Sequence, residues 1–477
     1  MDQIAVGADF LLLDPANAPA RGLTDWLVNA LRSAIDDGRL APGGRLPATR
    51  ALATDLAVSR GVVVEAYRRL TDEGLVGGRG GGGTTVLAQP ARIPRPRPQP
   101  APLPAGPPRL PRPRQPNGEG VDLSPGVPDL SAFPRSLWLR TERAVLTETP
   151  PEELGYGDPR GHPRLRAALA PWLARTRGLR IGPDDLIIVS GVAQAMALLA
   201  QQLCREGIDS IAVEDPGSRG AVDEFAYWGL RPVPVPVDDD GIRVDLLAAT
   251  DAAAAFLTPA HQFPTGVVLA PHRRRELLAW AVDAQLVIED DYDAEYRYDR
   301  APVPALHAAA PDRIAYAGST SKSLAPALRL GWLVAPRLRY DALVAAKHAS
   351  DLGSPTVPQL VLARLIESGE YDRHVRLVRG RHRARRDALL DALTAELPAA
   401  SVKGVAAGLH LLVTLPEGSA DDTVLADELR EAGVLVHPLS WHRRLSGPPG
   451  LVLGYAAHNP DRLREAAVTI GRVVRLS

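Results

Sequence analysis

The rarity of lysine makes each lysine of this chain a candidate for chemistry that arginine cannot perform. Of the 55 basic residues among 477, only three are lysines, namely Lys322, Lys347 and Lys403. A lysine amine can form an imine with an aldehyde, whereas the guanidinium group of arginine stays protonated. Lys322 lies in the segment YAGSTSKSLAPALRLGW, just past a short apolar run that predicts a strand. Its position makes Lys322 the strongest candidate for a chemical role.

Two further segments carry polar groups at the ends of predicted elements. The segment VIEDDYDAEYRY places Asp290 and Tyr292 just past another predicted buried strand, and Lys322 follows Asp290 by 32 residues. The segment VSGVAQAM places Val192 and Ala193 at the start of a predicted helix. Free backbone N–H groups and the helix dipole make such a helix start suitable for a phosphate.

These groups together match the chemical needs of pyridoxal 5′-phosphate (PLP). The aldehyde needs an amine for a Schiff base, which Lys322 can supply, and the ring nitrogen needs a carboxylate, which Asp290 can supply. The phenolic oxygen of PLP can accept a hydrogen bond from Tyr292. A phosphate needs hydroxyl groups, N–H groups and a cation, for which we assign Ser319, Ser321, Arg329, Val192 and Ala193. Each feature alone is weak evidence. A strand-end aspartate, for example, is more commonly a helix cap.

The elements that must position these groups alternate between strand-like and helix-like segments. Helical patterns separate several short apolar runs, as around residues 195–203. This alternation predicts an α/β domain with a mostly parallel, buried sheet, whose strand ends and helix starts gather the binding groups. The predicted strands are Leu186–Val189, Ile211–Val213, Ala255–Leu257, Leu286–Ile288 and Ile314–Tyr316.

A change in composition divides the chain. Residues 90–116 hold 12 prolines and six arginines, a composition that cannot bury apolar surface and favours extended polyproline II. The segment is either a spacer or a basic tether that also touches DNA phosphate. The predicted divisions are an N-terminal module over residues 1–88, a linker over 89–120 and a large domain over 121–477.

The N-terminal module has the pattern of three helices followed by a hairpin around Gly80–Gly83. Between Arg39 and Arg114 there are 13 arginines against four acidic residues. The chain as a whole is nearly neutral, with 55 basic and 56 acidic residues, so this excess is local. A local basic excess of this kind is typical of a nucleic-acid-binding module.

The stretch GRLAPGGRLPATRALATDLAVSRGVVVEAYRRLTDEGLVGGRGGGGTTV closely resembles the winged helix-turn-helix of GntR-type transcription factors. The resemblance implies that Arg50 opens the second helix and that Ser59 and Arg60 begin the recognition helix. Arg79 and Gly80 would lie in the wing. In that arrangement Arg60 reaches guanine or a nearby phosphate in the major groove of double-stranded DNA.

The larger part of the chain resembles fold-type I aminotransferases across nearly all of its length. In that family a tyrosine in a segment like LGYGDPRGHPRLR reaches the cofactor phosphate of the partner subunit, and Tyr156 matches it. Together with the GntR-like module, this identifies the chain as a member of the MocR subfamily of bacterial regulators. The resemblance implies a head-to-tail homodimer, with each DNA-binding module packed on the other subunit's large domain.

Two departures from the aminotransferase pattern bear on function. Ser218 stands where an aromatic residue often stacks on the PLP ring, and Val452 stands where an arginine usually binds the substrate carboxylate. We therefore expect a PLP-responsive regulator with little or no transaminase activity, sensing PLP itself as PdxR-type members do. Two alternatives are a GabR-type regulator that senses an amino acid or amine through PLP, and a true aminotransferase.

Several classes of protein are excluded by simpler features. Cys204 is the only cysteine, which rules out an internal disulfide and a zinc site with two thiolates, and no metal site is predicted. The chain has no uninterrupted apolar stretch of about 18 residues, so no membrane span is predicted. Residues 1–20 lack the basic start of a signal peptide. We therefore expect a cytoplasmic protein.

Overall fold

The computed structural model describes two compact units. The described residues up to 87 belong to the first unit, and those from 120 onwards belong to the second. Nearly all of the predicted linker lies outside the described residues. The described residues are 19, 22–78, 83–87, 120–281, 285–293, 295–298, 304–404, 406–416 and 418–476.

The first unit is a three-helix module with a two-stranded antiparallel sheet. Leu31, Val63 and Leu70 are fully buried at its centre, since the apolar residues of each helix recur at helical spacing. The hydroxyl of Tyr67 donates to the carbonyl of Pro47 (2.9 Å) and ties the third helix to the turn before the second. The elements are α1 (Leu23–Asp36), α2 (Thr49–Asp55), α3 (Arg60–Asp72), β1 (Val76–Gly78) and β2 (Thr84–Val86).

The second unit is built on an eight-stranded sheet with the order β4-β11-β10-β9-β8-β5-β6-β7. Its five central strands, from β10 to β6, run parallel, and β4, β7 and β11 lie at the two sides in antiparallel pairings. All five predicted apolar runs lie in this sheet, which confirms the predicted α/β fold. The strands are β3 (Val121–Asp122), β4 (Leu186–Val189), β5 (Ser210–Asp215), β6 (Arg231–Asp238), β7 (Gly241–Ile242), β8 (Ala254–Leu257), β9 (Leu286–Asp291), β10 (Ile314–Ser319) and β11 (Gly331–Val334).

The C-terminal part of this unit forms a second, antiparallel sheet with the order β12-β13-β16-β15, and β14 pairs with β3. The strands are β12 (Ser401–Lys403), β13 (His410–Thr414), β14 (Val434–Leu435), β15 (His437–Pro438) and β16 (Gly450–Gly454).

Helices cover both sheets, and none of the described helices is long and apolar enough to cross a membrane. They are α4 (Arg135–Glu148), α5 (Pro163–Arg177), α6 (Val192–Arg205), α7 (Arg219–Tyr227), α8 (Val244–Ala248), α9 (Pro271–Trp280), α10 (Arg337–Asp351), α11 (Thr356–Glu367), α12 (Glu370–Glu396), α13 (Asp422–Glu431) and α14 (Pro460–Leu476).

Candidate cofactor site and nucleic-acid interface

The register of the central sheet brings the predicted cofactor residues to one edge. Asp290 pairs with Ala317 in the parallel β9–β10 ladder, and Lys322 follows the end of β10. Ser319 pairs with Gly331, which in turn pairs with Val189 at the end of β4. The turn that opens α6 therefore lies on the same edge as the segment that carries the lysine.

The side chain of Lys322 lies over a glycine from a distant part of the chain. Its Nζ donates to the carbonyl of Gly126 (2.5 Å), and a Cβ on that glycine would lie 3.4 Å from Nζ. Burial lowers the pKa of the Lys322 amine, although the carboxylates of Asp290 and Asp293 oppose the shift. A buried amine with a lowered pKa spends more time as the neutral nucleophile that an aldehyde requires.

Asp290 presents a carboxylate oxygen that the described residues leave unpaired. Its Oδ1 is buried and has no hydrogen-bond partner among them. Burial, reinforced by the carboxylates of Asp291 and Asp293, raises the pKa of Asp290 to about 8. Burial of an unpaired carboxylate is costly, so the raised pKa favours the protonated acid, and a ring N–H of a bound cofactor would stabilise the ionised form. This oxygen therefore fits the predicted partner of the PLP ring nitrogen.

Tyr292 contacts His261, which the sequence places in a loop near the site with a structural role favoured over a catalytic one, and His261 in turn contacts Asp293, which was not among the predicted site residues. His261 Nδ1 lies 3.0 Å from the Tyr292 hydroxyl and 2.9 Å from Oδ2 of Asp293. Burial, followed by the charges of Asp293 and Asp290, raises the pKa of Tyr292 well above its usual range. The phenol therefore stays protonated and remains a hydrogen-bond donor. The segment TPAHQFPTG contains this histidine, but its contact with Tyr292 depends on the fold.

The residues predicted to bind the phosphate lie around the turn before α6. Arg329, in the left-handed conformation (φ 51°), donates to the carbonyl of Ser190. Gly191 has a φ of 86°, a conformation that favours glycine, and a Cβ there would lie 3.2 Å from the Arg329 guanidinium. The N–H of Ser321 donates to Oγ of Ser319 (3.3 Å), which orients that hydroxyl. The structure thus provides a cation, hydroxyls and the open N-terminus of α6, where Val192 and Ala193 lie.

A buried ion pair supports this turn from behind. The side chain of Gln194 accepts from the N–H of Ser190 (2.8 Å) and donates to Asp351 (2.7 Å). Lys347, which is fully buried, pairs with Asp351 (2.8 Å). The second lysine of the chain therefore has a structural partner, which separates its role from that of Lys322.

Tyr156 lies apart from this group on the surface of the subunit. It is 92 % exposed, and it lines a cavity of about 1120 Å³ together with residues 351–360. That Tyr156 reaches the cofactor phosphate of a partner subunit stays a prediction.

The two departures from the aminotransferase pattern have structural roles. Oγ of Ser218 accepts from the N–H of Ala221 (3.3 Å) and caps α7. Val452 is fully buried in a cluster with Leu412 and Leu439. Phe263 makes an edge-on aromatic contact with Tyr292, with ring centroids 6.3 Å apart.

Three arginines lie together at a cavity that Gly217, the neighbour of Ser218, also lines. Arg219, Arg443 and Arg444 line one cavity of about 330 Å³. Arg219 lies 3.6 Å from Asp223, and Arg443 donates to the carbonyl of Pro448 (2.6 Å). Both guanidinium groups thus already have partners on their own chain.

In the N-terminal unit, ion pairing separates two groups of arginines. Arg68 and Arg69 on α3 are paired with acidic side chains at 2.6–3.0 Å. Arg45, Arg50 and Arg60 are exposed, and within the described residues their guanidinium groups form neither a hydrogen bond nor an ion pair. The sequence predicts DNA contacts for Arg50 and Arg60, and Arg45, which was not among the predicted residues, shares their exposure.

The start of α3 is open to a ligand. Ser59 occupies the N-cap position, but its side chain makes no capping hydrogen bond. The hydroxyl and the first N–H groups of the helix are therefore available to an anion such as a DNA phosphate. Arg79 and Gly80, predicted for the wing, lie outside the described residues.

Comparison with known proteins agrees with both units. The family of bacterial regulatory proteins, gntR family, matches residues 23–86, and the family of aminotransferases class I and II matches residues 120–470. The HTH-type pyridoxine biosynthesis transcriptional regulator PdxR of Corynebacterium glutamicum is 32% identical over 97% of this chain and 97% of that protein. The probable rhizopine catabolism regulatory protein MocR of Rhizobium meliloti is 32% identical over 92% of this chain and 91% of that protein. The chain belongs to the MocR/PdxR family of transcription regulators.

A solved structure supports the fold of the large unit of this MocR-family chain. Kynurenine aminotransferase of Pyrococcus horikoshii, in complex with PMP, matches it with a TM-score of 0.69 at 26% identity, over 76% of this chain and 92% of that chain. The predicted combination of a GntR-type helix-turn-helix with an aminotransferase-like fold is therefore confirmed. The GntR-type module implies that this MocR-family regulator binds DNA.

Proposed function

We propose that this MocR-family regulator binds PLP in its large unit and that PLP itself controls its contact with DNA. The observation that carries the proposal is the buried, unpaired Oδ1 of Asp290 on the same sheet edge as Lys322. A complex of PMP in the kynurenine aminotransferase of similar fold supports the same ligand class. The proposed divisions are a DNA-binding module over 1–88, a linker over 89–120 and an effector domain over 121–477.

Each proposed contact follows from the chemistry of a side chain. When bound, PLP supplies an electrophilic aldehyde carbon, and the amine of Lys322 is the nucleophile that meets it. Asp290 holds a proton at the ring nitrogen, and Tyr292 donates to the phenolic oxygen. Arg329 neutralises the phosphate beside the α6 N-terminus, with Ser319, Ser321, Val192 and Ala193 as further phosphate ligands.

The same geometry argues against efficient transamination. A transaminase must hold the substrate carboxylate so that the bond to be broken stands perpendicular to the pyridine plane. Val452 carries no charge and is buried among aliphatic side chains. An amino acid is therefore not clamped in this orientation, which favours a sensor over an enzyme.

The proposal extends to a homodimer with shared sites. Tyr156 is fully available to a second subunit, since its side chain projects from the surface. In the proposed head-to-tail dimer, Tyr156 completes the phosphate site of the partner subunit.

We expect the Arg60→Ala variant to bind specific DNA more weakly by about 1–3 kcal/mol, or roughly 5- to 150-fold. Arg60 is exposed at the open start of α3, and no acidic side chain holds it. The matched control is Arg68→Ala on the same helix, because Glu65 and Asp72 already bind that guanidinium. The measurement is fluorescence anisotropy with a DNA fragment recovered from the genome by the wild-type protein. Equal losses in both variants would contradict a specific role for Arg60.

We expect PLP alone to change DNA affinity, with common amino acids adding little. A buried group such as Asp290 gains a partner when PLP binds, whereas no arginine at position 452 awaits a carboxylate. The test titrates the same DNA fragment with PLP-free protein, PLP-loaded protein, and loaded protein plus a panel of amines. If loading with PLP has no effect and one amine produces the whole change, the amine is the signal. In that case the cavity lined by Arg219, Arg443 and Arg444 becomes the first place to look for its carboxylate.

A further inference from the structure

The long helix α12 carries a concentration of positive charge that the cofactor site does not use. Residues 373–386 contain seven arginines and no acidic residue. The surrounding domain, residues 121–477, has the opposite balance, with 40 basic and 45 acidic residues. The seven arginines therefore form a local positive cluster, since the rest of the domain has 33 basic and 45 acidic residues.

Most of these arginines have partners within the domain. Arg373 pairs with Glu370, Arg386 with Asp387, and Arg381 and Arg385 both pair with Asp129. Arg379 donates to the carbonyl of Glu295 (2.8 Å). Two remain, Arg376 and Arg383, which are exposed and form no hydrogen bond or ion pair among the described residues.

Arg376 and Arg383 lie on one face of the helix. They are seven residues, or two turns, apart, which separates them by about 10 Å along the axis. Arg373 lies three residues before Arg376 on the same side, and its side chain is 67 % exposed in spite of its ion pair. The basic face of α12, defined as Arg373, Arg376, Gly380 and Arg383, therefore presents three cations in a row.

Gly380 lies between these cations in the middle of the helix. Glycine destabilises a helix interior relative to alanine, so a glycine at this position indicates a structural or functional requirement. Packing gives none, because no atom lies within 4 Å of the place where a Cβ would stand. The missing side chain leaves the helix backbone uncovered at this exposed position.

We propose that the basic face of α12 binds the phosphate backbone of DNA, as a second contact beside the helix-turn-helix. The proposal rests on the DNA binding assigned to the N-terminal module. Duplex DNA has the complementary charge, and its phosphates are dense along the duplex axis, with one per strand for each 3.4 Å of axial rise, so two cations about 10 Å apart can each meet a phosphate. Once the helix-turn-helix is bound, DNA is present at high local concentration, so a weak second contact adds to the affinity.

The direct test is the double variant Arg376→Gln/Arg383→Gln in the full-length protein. Losing two phosphate contacts should reduce the slope of log Kd against log salt concentration by about 1.8 per subunit. At 0.1 M salt the affinity should fall roughly tenfold or more, and about equally for the recovered genomic fragment and a random-sequence duplex of the same length. Folding should be unchanged, because neither side chain has a partner to lose.

The matched control is Arg180→Gln/Arg205→Gln, which removes two exposed arginines without partners among the described residues elsewhere on the domain. If both double variants lose the same affinity, or if the α12 variant keeps the wild-type slope, the proposal is wrong. If the α12 variant keeps its DNA affinity and fails only in transcription with RNA polymerase, the face binds protein, which also overturns the proposal.

Gly380 gives an independent check. Gly380→Leu should raise the melting temperature and weaken DNA binding severalfold. Gly380→Ala should also raise the melting temperature, but with little effect on DNA binding. Wild-type affinity in Gly380→Leu would overturn the close approach. The outcomes are distinguishable from a failure of the proposed function, because in that case the wild-type protein itself would bind no DNA specifically.

Discussion

The Lys322→Ala variant should lose all covalent attachment of PLP while keeping its fold. Lys322 is the only one of the three lysines that lies at the sheet edge beside Asp290, and burial lowers the pKa of its amine. After incubation with PLP and reduction with borohydride, mass spectrometry of the wild type should find the phosphopyridoxyl group on Lys322. The long-wavelength absorbance of the yellow PLP-loaded protein should be absent from the variant.

The other two lysines supply the controls for this experiment. Lys403→Ala removes a surface lysine that pairs with Asp239 (2.5 Å), and its absorbance and labelling should match the wild type. Lys347 is fully buried beside Asp351, so it should remain unlabelled in every variant. A colourless wild type, or a label distributed over Lys403 as well, would contradict a specific PLP site.

The Arg177→Met variant should be destabilised by about 3–5 kcal/mol, because it leaves the Asp291 carboxylate buried without its cation. Arg177 and Asp291 pair at 2.5 Å, with both side chains only 3 % exposed. The hydroxyl of Tyr316 donates to the same oxygen of Asp291 (2.5 Å) and cannot replace a charge. The measurement is the free energy of unfolding from urea titrations of wild type and variant. A loss of unfolding free energy below about 1 kcal/mol would show that the Arg177–Asp291 pair does not stabilise the end of β9.

Arg175→Met, on the same helix, is the control. Its guanidinium pairs with Asp372 (2.7 Å) while 59 % of its side chain is exposed. Exposed ion pairs contribute about 1 kcal/mol or less, so this variant should stay near the wild-type stability.

The Arg177→Met loss should grow with pH. Burial raises the pKa of Glu289 to about 7 and of Glu295 to about 8, and Arg177 opposes both shifts. For an acid whose pKa is higher in the folded state, stability is greatest at low pH and falls as the pH rises through the folded value. Without Arg177 the pKa of both groups rises further, so the variant continues to lose stability where the wild type has levelled off, and the difference should widen as the pH rises through about 7 and 8.

Sequence alone predicted the fold of this MocR-family chain and the edge of the sheet at which the candidate cofactor residues meet. The run Leu186–Val189 was predicted as a strand and forms β4 with the same bounds. Strands buried on both faces appear as continuous apolar runs, so they can be recognised locally. Because parallel strands end at the same edge of the sheet, Asp290 near the end of β9 and Lys322 just after β10 meet there, whatever the length of chain between them.

In contrast, the sequence could not predict which charged side chains form ion pairs and which remain exposed without a partner. Arg60 and Arg68 lie on the same helix, yet one is exposed without an acidic partner and the other is bound by Glu65 and Asp72. On α12 the sequence has seven arginines, and only tertiary contacts with residues such as Asp129 separate the paired ones from Arg376 and Arg383.

The physical reason is the range of the interactions involved. Strands and helices follow from apolar spacing over a few neighbouring residues, which any window of the sequence contains. The neighbours of a side chain come from far along the chain: Gly126 meets Lys322 across 196 residues, and Asp291 meets Arg177 across 114. Whether a charge is buried, paired or free depends on those distant neighbours. Only the tertiary structure therefore shows the environment of each charged side chain.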